Sequence, residues 1–282
     1  MRKPGGLKSN RTMGMAGCVL VLVLIMAGFI GRGESSAIPV LTEHAVEDEH
    51  SPAAAAAQWE QLMELAAGAV REDLKGTAKW QGAWPTLLSP EEAAGALASR
   101  LGLGGIREER VQGRAVYRAS GDAEAIASSL TLTKLPGEDE SYYVVLRMEG
   151  QGAETVRGMK ERIALSGESL ADEGVRIQWN GALQGEIDPK ATGQAFAEPT
   201  MKSSLHRSLS ILEKGKGHAL NLTAVEDYED GGTVSRSYTV PDMVISVASG
   251  GHQVSLQMAV HRNELTGREE ISLGSPLLTV EY

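Results

Sequence analysis

A Trp-x-Gly-Ala stretch occurs twice in this chain, and it constrains the fold more than any other feature. Trp80-Gln81-Gly82-Ala83 returns 99 positions later as Trp179-Asn180-Gly181-Ala182. The likeness continues into Ser89-Pro90-Glu91 and Asp188-Pro189-Lys190, with each Pro ten positions after its Trp. Each copy reads as an alternating strand, a short connection, then a Ser or Asp N-cap with Pro at the first helical position. Self-similarity at a fixed offset points to a duplicated strand–helix unit. It carries no chemistry of its own.

The rest of the chain falls into place around the two copies. Ser51-Pro52 opens a leading helix over 53–75, with Trp59, Leu62, Met63, Ala66, Val70 and Leu74 along one stripe. The first repeat, 76–173, begins with Ala78, Trp80, Gly82 and Trp84 alternating with Lys79, Gln81 and Ala83, a half-buried strand. A helix from Ser89 to about Leu101 follows, then strands over 108–119, 125–135 and 141–149, then a helix from Ala153 to about Glu173. The second repeat, 174–282, restarts with Val175, Ile177, Trp179, Gly181 and Leu183. Its helix starts at Pro189, is interrupted at Pro199 and resumes with Leu205, Leu209 and Leu212. Strands are expected over 218–228, 233–240, 242–248, 252–262, 268–273 and 277–282, and no closing helix matches Ala153–Glu173. Helices alternating with runs of consecutive strands define an α+β fold, helices packed on one face of an antiparallel sheet.

The N-terminus speaks to location. Arg2, Lys3, Lys8 and Arg11 precede an uncharged run whose centre, Cys18 to Ile30, reads CVLVLVLIMAGFI. A basic flank before an apolar run is an export signal, so 1–30 reads as a signal or anchor segment, with the body outside the cytoplasm. Ser35-Ser36-Ala37 offers a small-residue cleavage site, and both cleavage after Ala37 and retention as a transmembrane anchor stay open. Residues 31–52, with Glu43-His44-Ala45-Val46-Glu47-Asp48-Glu49-His50, read as a flexible acidic stalk rather than a metal site. Beyond residue 37, 22 Lys/Arg and 36 Asp/Glu leave a net charge of −14. Such a body is repelled by nucleic acid and anionic polymers unless a local basic patch offsets it. Cys18 is the only cysteine, so disulfides, thiol catalysis and thiolate metal sites have no place in the exported part.

With length, basic-flanked leader, duplicated unit and the ending Ile271-Ser272-Leu273-Gly274-Ser275-Pro276-Leu277-Leu278-Thr279-Val280-Glu281-Tyr282, the chain resembles the YwmB-type family of exported Gram-positive bacterial proteins. That family is classed as TATA-box-binding-protein-like, and the likeness covers roughly 55–282. The resemblance implies a saddle-shaped, pseudo-two-fold antiparallel sheet under helices. It implies no activity and no functional residues.

Motifs for chemistry are few. There is no G-x-S-x-G elbow, no Ser-x-x-Lys and no H-E-x-x-H. His252 and His261 are placed on one strand, on opposite faces; His206 and His218 read as surface histidines. Glu226-Asp227-Tyr228-Glu229-Asp230-Gly231-Gly232 reads as a solvated hairpin turn rather than a calcium loop. Trp80 and Trp179 fall on the apolar face of their strands, so core packing outweighs carbohydrate stacking, and Gly82 and Gly181 let a ring or helix approach. Duplex binding needs a basic concave face with apolar wedges, and the only Phe of the exported body is Phe196, in the helical region.

Arg114 and Arg118 on one strand, and Tyr143 and Arg147 on another, occupy alternating positions that can share an exposed sheet face. They are the candidate partner-docking patch; the competing reading is scattered surface charge paired to Glu140 and Glu149. The expected function is non-enzymatic: a binding or scaffolding module on the outer side of the cytoplasmic membrane, meeting an envelope protein or wall component. No cofactor, metal or nucleic acid is expected. The alternatives are an envelope enzyme with carboxylates paired only in space and, more remotely, nucleic-acid binding by fold analogy.

Overall fold

Trp80, buried on β1 (Lys75–Pro85), sits at the centre of a sheet built outward from two strands that meet as an antiparallel pair. The structure, a computed structural model, describes residues 50–71, 73–137, 140–188 and 201–278. All of these belong to one unit, Glu43–Tyr282. The expected leader over 1–30, the stalk of 31–52 as far as Glu49, the helix start at Pro189 with its break at Pro199, and 279–282 lie outside the described residues. Residues 50–52 are not stalk: His50 Nδ1 accepts from Trp179 N at 3.2 Å, Ser51 caps the first helix and Pro52 opens it. Residues 277–278, expected to begin a strand, do not.

The described elements form an α+β fold of four helices and a ten-stranded antiparallel sheet. The helices are α1 (Pro52–Ala66), α2 (Pro90–Arg100), α3 (Ala153–Asp172) and α4 (Met201–Lys214). Besides β1, the large sheet holds β2 (Gly104–Val111), β3 (Arg114–Ala123), β4 (Ile126–Lys134), β5 (Ser141–Gln151), β6 (Arg176–Glu186), β7 (Thr223–Glu229) and β8 (Thr233–Thr239). A separate hairpin, β9 (Val247–Ser249) with β10 (His252–Val254), precedes β11 (Leu256–Arg262) and β12 (Glu269–Ser275). The order across the sheet is β2-β3-β4-β5-β1-β6-β12-β11-β8-β7. Each half therefore places its first strand at the centre and its second at the rim.

Local chemistry accounts for the elements that the sequence specifies most strongly. Ser89 caps α2 through a full capping box: the Glu92 amide donates to Ser89 Oγ, and Ser89 N donates back to Glu92 Oε2 at 3.0 Å. β1 alternates buried and half-exposed along its whole length, with Ala78, Trp80 and Trp84 inward. The inward positions of the large sheet meet the helices. Three tryptophans donate to backbone carbonyls of α3 or its C-cap: Trp59 to Val156 at 2.9 Å, Trp80 to Ile163 at 3.0 Å, and Trp84 to Glu173 at 2.7 Å. Gly167 makes the second contact possible, because a Cβ there would stand 2.5 Å from the Trp80 ring.

Several expectations are corrected. The leading helix ends at Ala66, not near Lys75. Residues 69–71 leave it to pair with the end of β6: Val70 bridges Ile187, and Arg71 N donates to Glu186 O at 3.0 Å. The single strand over 108–119 is two, folded at Gln112-Gly113, both in the left-handed region at φ 49° and 81°. Residues 216–220 form a 3-10 turn rather than the start of a strand. The strand expected over 242–248 is mostly loop, and 252–262 breaks at Ser255 into β10 and β11. His252 and His261 thus stand on different strands. Gly181 admits a ring, that of Trp179, as expected, but Gly82 admits backbone: a Cβ there would meet Arg176 O.

Candidate binding face

The parity of β1 decides which side chains lie opposite the helices. Trp80 points inward, so Lys79 and Gln81 point outward, and the ladder carries that choice across the sheet. One outward row runs Ser120–Ser129–Arg147–Lys79–Asn180, each a direct cross-strand partner of the next. The next runs Arg107–Arg118–Thr131–Val145–Gln81–Gln178, and beyond it Val116–Thr133–Tyr143–Ala83–Arg176. Arg114 shares the parity of Arg118 on β3. The four candidates Arg114, Arg118, Tyr143 and Arg147 therefore occupy one face, the one opposite the helices.

The same face shows the competing ion pairs. Arg118 Nε lies 3.0 Å from Glu109 of β2, and Arg147 Nη2 lies 2.8 Å from Glu149 along its own strand. Both guanidinium side chains keep a third or more of their surface exposed, at 36% and 49%. Tyr143 is half-buried, and burial pushes its hydroxyl above the ordinary tyrosine value. It is a neutral hydrogen-bonding group at physiological pH.

Sequence reasoning missed the other cations of this face. Lys75 and Lys79 on β1, Arg107 on β2 and Arg176 at the start of β6 have the same outward parity. The acidic groups among them are Glu109, Asp122 and Glu149. In the other half the outward strand positions carry Glu186, Glu226 and Glu270; Glu186 is paired with Arg71 at 3.3 Å and Arg268 at 2.8 Å, and Glu270 lies 3.3 Å from His261. Period-two alternation shows that Lys79 faces away from Trp80, but not that β5 lies beside it.

The second half of this face is also partly closed. Asn180 Nδ2 donates to Leu277 O at 2.8 Å, and Leu278 N donates to Gln257 Oε1 at 3.1 Å. A Cβ on Gly274 would meet Leu277 and Leu278 backbone within 3 Å, so residues 277–278 fold back over β12 there. On this face Ser272 is fully buried, and Ser235 and Ser237 nearly so.

Elsewhere, a cavity of about 510 Å³ opens where α4, the 3-10 turn and β7 meet, lined by Glu213, Leu222, Ala224 and Tyr238 among others. Its carboxylate is engaged: Glu213 Oε1 accepts from Tyr238 OH at 2.7 Å and from Arg236 Nη1 at 2.5 Å. Burial first, then the bond to Glu213, pushes the Tyr238 hydroxyl far above its ordinary value, so it stays protonated. Of the expected turn over 226–232, Glu226–Glu229 belong to β7 and only Asp230-Gly231-Gly232 turn, with Asp230 Oδ1 accepting from Gly232 N at 3.0 Å and Thr233 N at 2.9 Å. No group of three or more metal-ligating side chains forms among the described residues, and no described helix is long and apolar enough to cross a membrane.

No family model matches the chain, and no curated protein matches it. Among solved structures, the di-domain aromatase/cyclase BexL from the BE-7585A biosynthetic pathway is similar at 10% identity, over 72% of this chain and 85% of that one, with a TM-score of 0.19.

Proposed function

We propose that this chain is an exported, membrane-proximal binding or scaffolding module of the cell envelope that docks a partner on the open face of its sheet. We further propose that it is an internally duplicated, TATA-box-binding-protein-like member of the YwmB-type family. The observation that carries the docking reading is the placement of Arg114, Arg118, Tyr143 and Arg147 on one face, opposite the described helices. Arginine and tyrosine are the side chains that most often anchor protein interfaces. The duplication reading is supported by the pairing of Trp80 with Trp179 and by the same strand order read from either rim. Export rests on the basic flank and apolar run before residue 31.

An envelope pull-down tests the docking reading. The full chain, in detergent, is incubated with solubilised Gram-positive envelope beside an Arg147→Glu version. A specific protein or wall component that is captured by the first and lost by the second is the expected result. Equal capture by both moves the site off this face. No capture by either turns attention to the enzyme alternative, with its carboxylates paired only in space.

A further inference from the structure

Resting on that docking reading, we propose that the occupant of the face is an acidic polypeptide segment, bound in extended conformation over the β2–β1 half. The charge pattern points there. The exported body carries a net charge of −14, yet Arg107, Arg118, Arg147 and Lys79 gather on the outward side of this half. The outward strand positions of the other half carry Glu186, Glu226 and Glu270 instead. Arg71 and Arg268 pair with Glu186, and His261 lies 3.3 Å from Glu270, so the described residues of that half have no matching basic excess. Such asymmetry within one continuous face steers an anionic partner to the basic end.

Geometry favours an extended chain. Arg107, Arg118, Arg147 and Lys79 stand on β2, β3, β5 and β1. Four strand intervals of ~4.8 Å make this a track of ~19 Å crossing the strands. An extended peptide rises ~3.4 Å per residue, so about six residues span the track, with same-side carboxylates ~6.8 Å apart. The seats already accept carboxylates, Glu109 on Arg118 at 3.0 Å and Glu149 on Arg147 at 2.8 Å. Exposed pairs of this kind contribute little, so a partner carboxylate displaces them at small cost. Among the cations lie Ser129, Thr131 and Gln81, with Gln178 just beyond on β6, and these suit peptide amides. A lipid surface would call for a cluster of apolar anchors; the exposed Leu87, Leu88, Leu165, Val244 and Leu265 lie in loops or on α3, and Ile106 and Tyr228 stand singly on β2 and β7 at opposite rims of the sheet.

Fluorescence anisotropy on the full chain in detergent micelles tests this, with a labelled Asp-Thr-Asp-Thr-Asp-Thr-Asp peptide as probe. Its counterpart with Asn for every Asp, polyphosphate of matched charge, and micelles containing phosphatidylglycerol serve as comparisons. The Asp peptide is expected to bind about tenfold tighter than the Asn peptide and to weaken with salt. Arg118→Glu and Arg147→Glu are each expected to cost about fivefold or more, and Arg268→Glu on the other half little. Arg118→Gln and Lys79→Gln give a milder pair should either reversal unfold the chain, with thermal melts as the check. Equal binding of the Asn peptide, indifference to the arginine changes, or tighter competition by polyphosphate or anionic micelles overturns the proposal. If the peptide fails while Arg147→Glu still loses an envelope partner, docking on this face stands and only the acidic chemistry falls.

Discussion

Trp80 lies directly opposite Trp179 in the ladder between β1 and β6, so the two residues that stand 99 positions apart in sequence are cross-strand neighbours. An antiparallel ladder centred on equivalent residues is the arrangement a two-fold axis through that pair would generate. The two rings differ in one respect. Trp80 Nε1 donates to Ile163 O at 3.0 Å, whereas Trp179 Nε1 finds no hydrogen-bond partner among the described residues. Both side chains are essentially fully buried, at 0% and 2% exposure.

Truncating either tryptophan is therefore expected to be severe. Trp80→Ala and Trp179→Ala should each destabilise the fold by about 3–5 kcal/mol. Trp80→Phe should cost about 1 kcal/mol more than Trp179→Phe, because only the first loses a hydrogen bond. Urea melts measure both. An unchanged melt for Trp179→Ala would remove that ring from the core and restore a stacking role.

Two glycines of α3 should respond in opposite directions to the same change. Gly167→Ala places a methyl 2.5 Å from the Trp80 ring, while Gly158 has nothing within 4 Å. Gly167→Ala should cost about 1–3 kcal/mol through overpacking. Gly158→Ala should stabilise by about 0.5–1 kcal/mol through helix propensity. Thermal melts of the two variants decide it.

The α2 cap should be pH-sensitive. The Ser89 hydroxyl first, and then the Ser89 amide, hold the Glu92 carboxyl below its ordinary value. A pKa lowered on folding stabilises above the unfolded value and loses that contribution as pH falls through the folded one. The gap between wild type and Glu92→Gln should be present at pH 7 and close under more acid conditions. Ser89→Ala should cost about 1 kcal/mol at neutral pH. Melts across pH provide the comparison, and a gap that widens in acid would contradict the assignment.

Glu213 ties α4 to the outer strands of the second half. It accepts from Tyr238 and Arg236, and Arg236 also bonds Asp227 of β7. Glu213→Ala leaves the buried Tyr238 hydroxyl without this partner and should cost about 1–3 kcal/mol. Tyr238→Phe, which removes the donor itself, should cost less. Hydrogen exchange at β7 and β8 should rise in the first variant more than in the second.

The parts of this fold legible in the sequence are those set by local rules. Ser89-Pro90 announces α2, the alternation about Trp80 announces β1, and Val156, Met159 and Ile163 announce α3. What escaped depends on distant partners. Val70 fits a helical stripe but pairs with Ile187, a contact across more than a hundred residues. Gln112-Gly113 is a weak turn signal, so β2 and β3 read as one strand. Period two fixes direction within a strand and so groups Arg114 with Arg118 and Tyr143 with Arg147; the ladders through β4 put the two pairs on one face. Arg107, Lys79 and Arg176 join them only through the order β2-β3-β4-β5-β1-β6, which no local pattern encodes.

The most direct test of docking is a photocrosslinker placed on each side of the sheet in living cells. One version carries it at Thr131, among the outward basic residues; the other carries it at Leu165 on the exposed side of α3. The account predicts a discrete crosslinked partner from Thr131, lost on adding Arg147→Glu, and none from Leu165. Crosslinking from Leu165 alone, or from Thr131 regardless of Arg147, would contradict it.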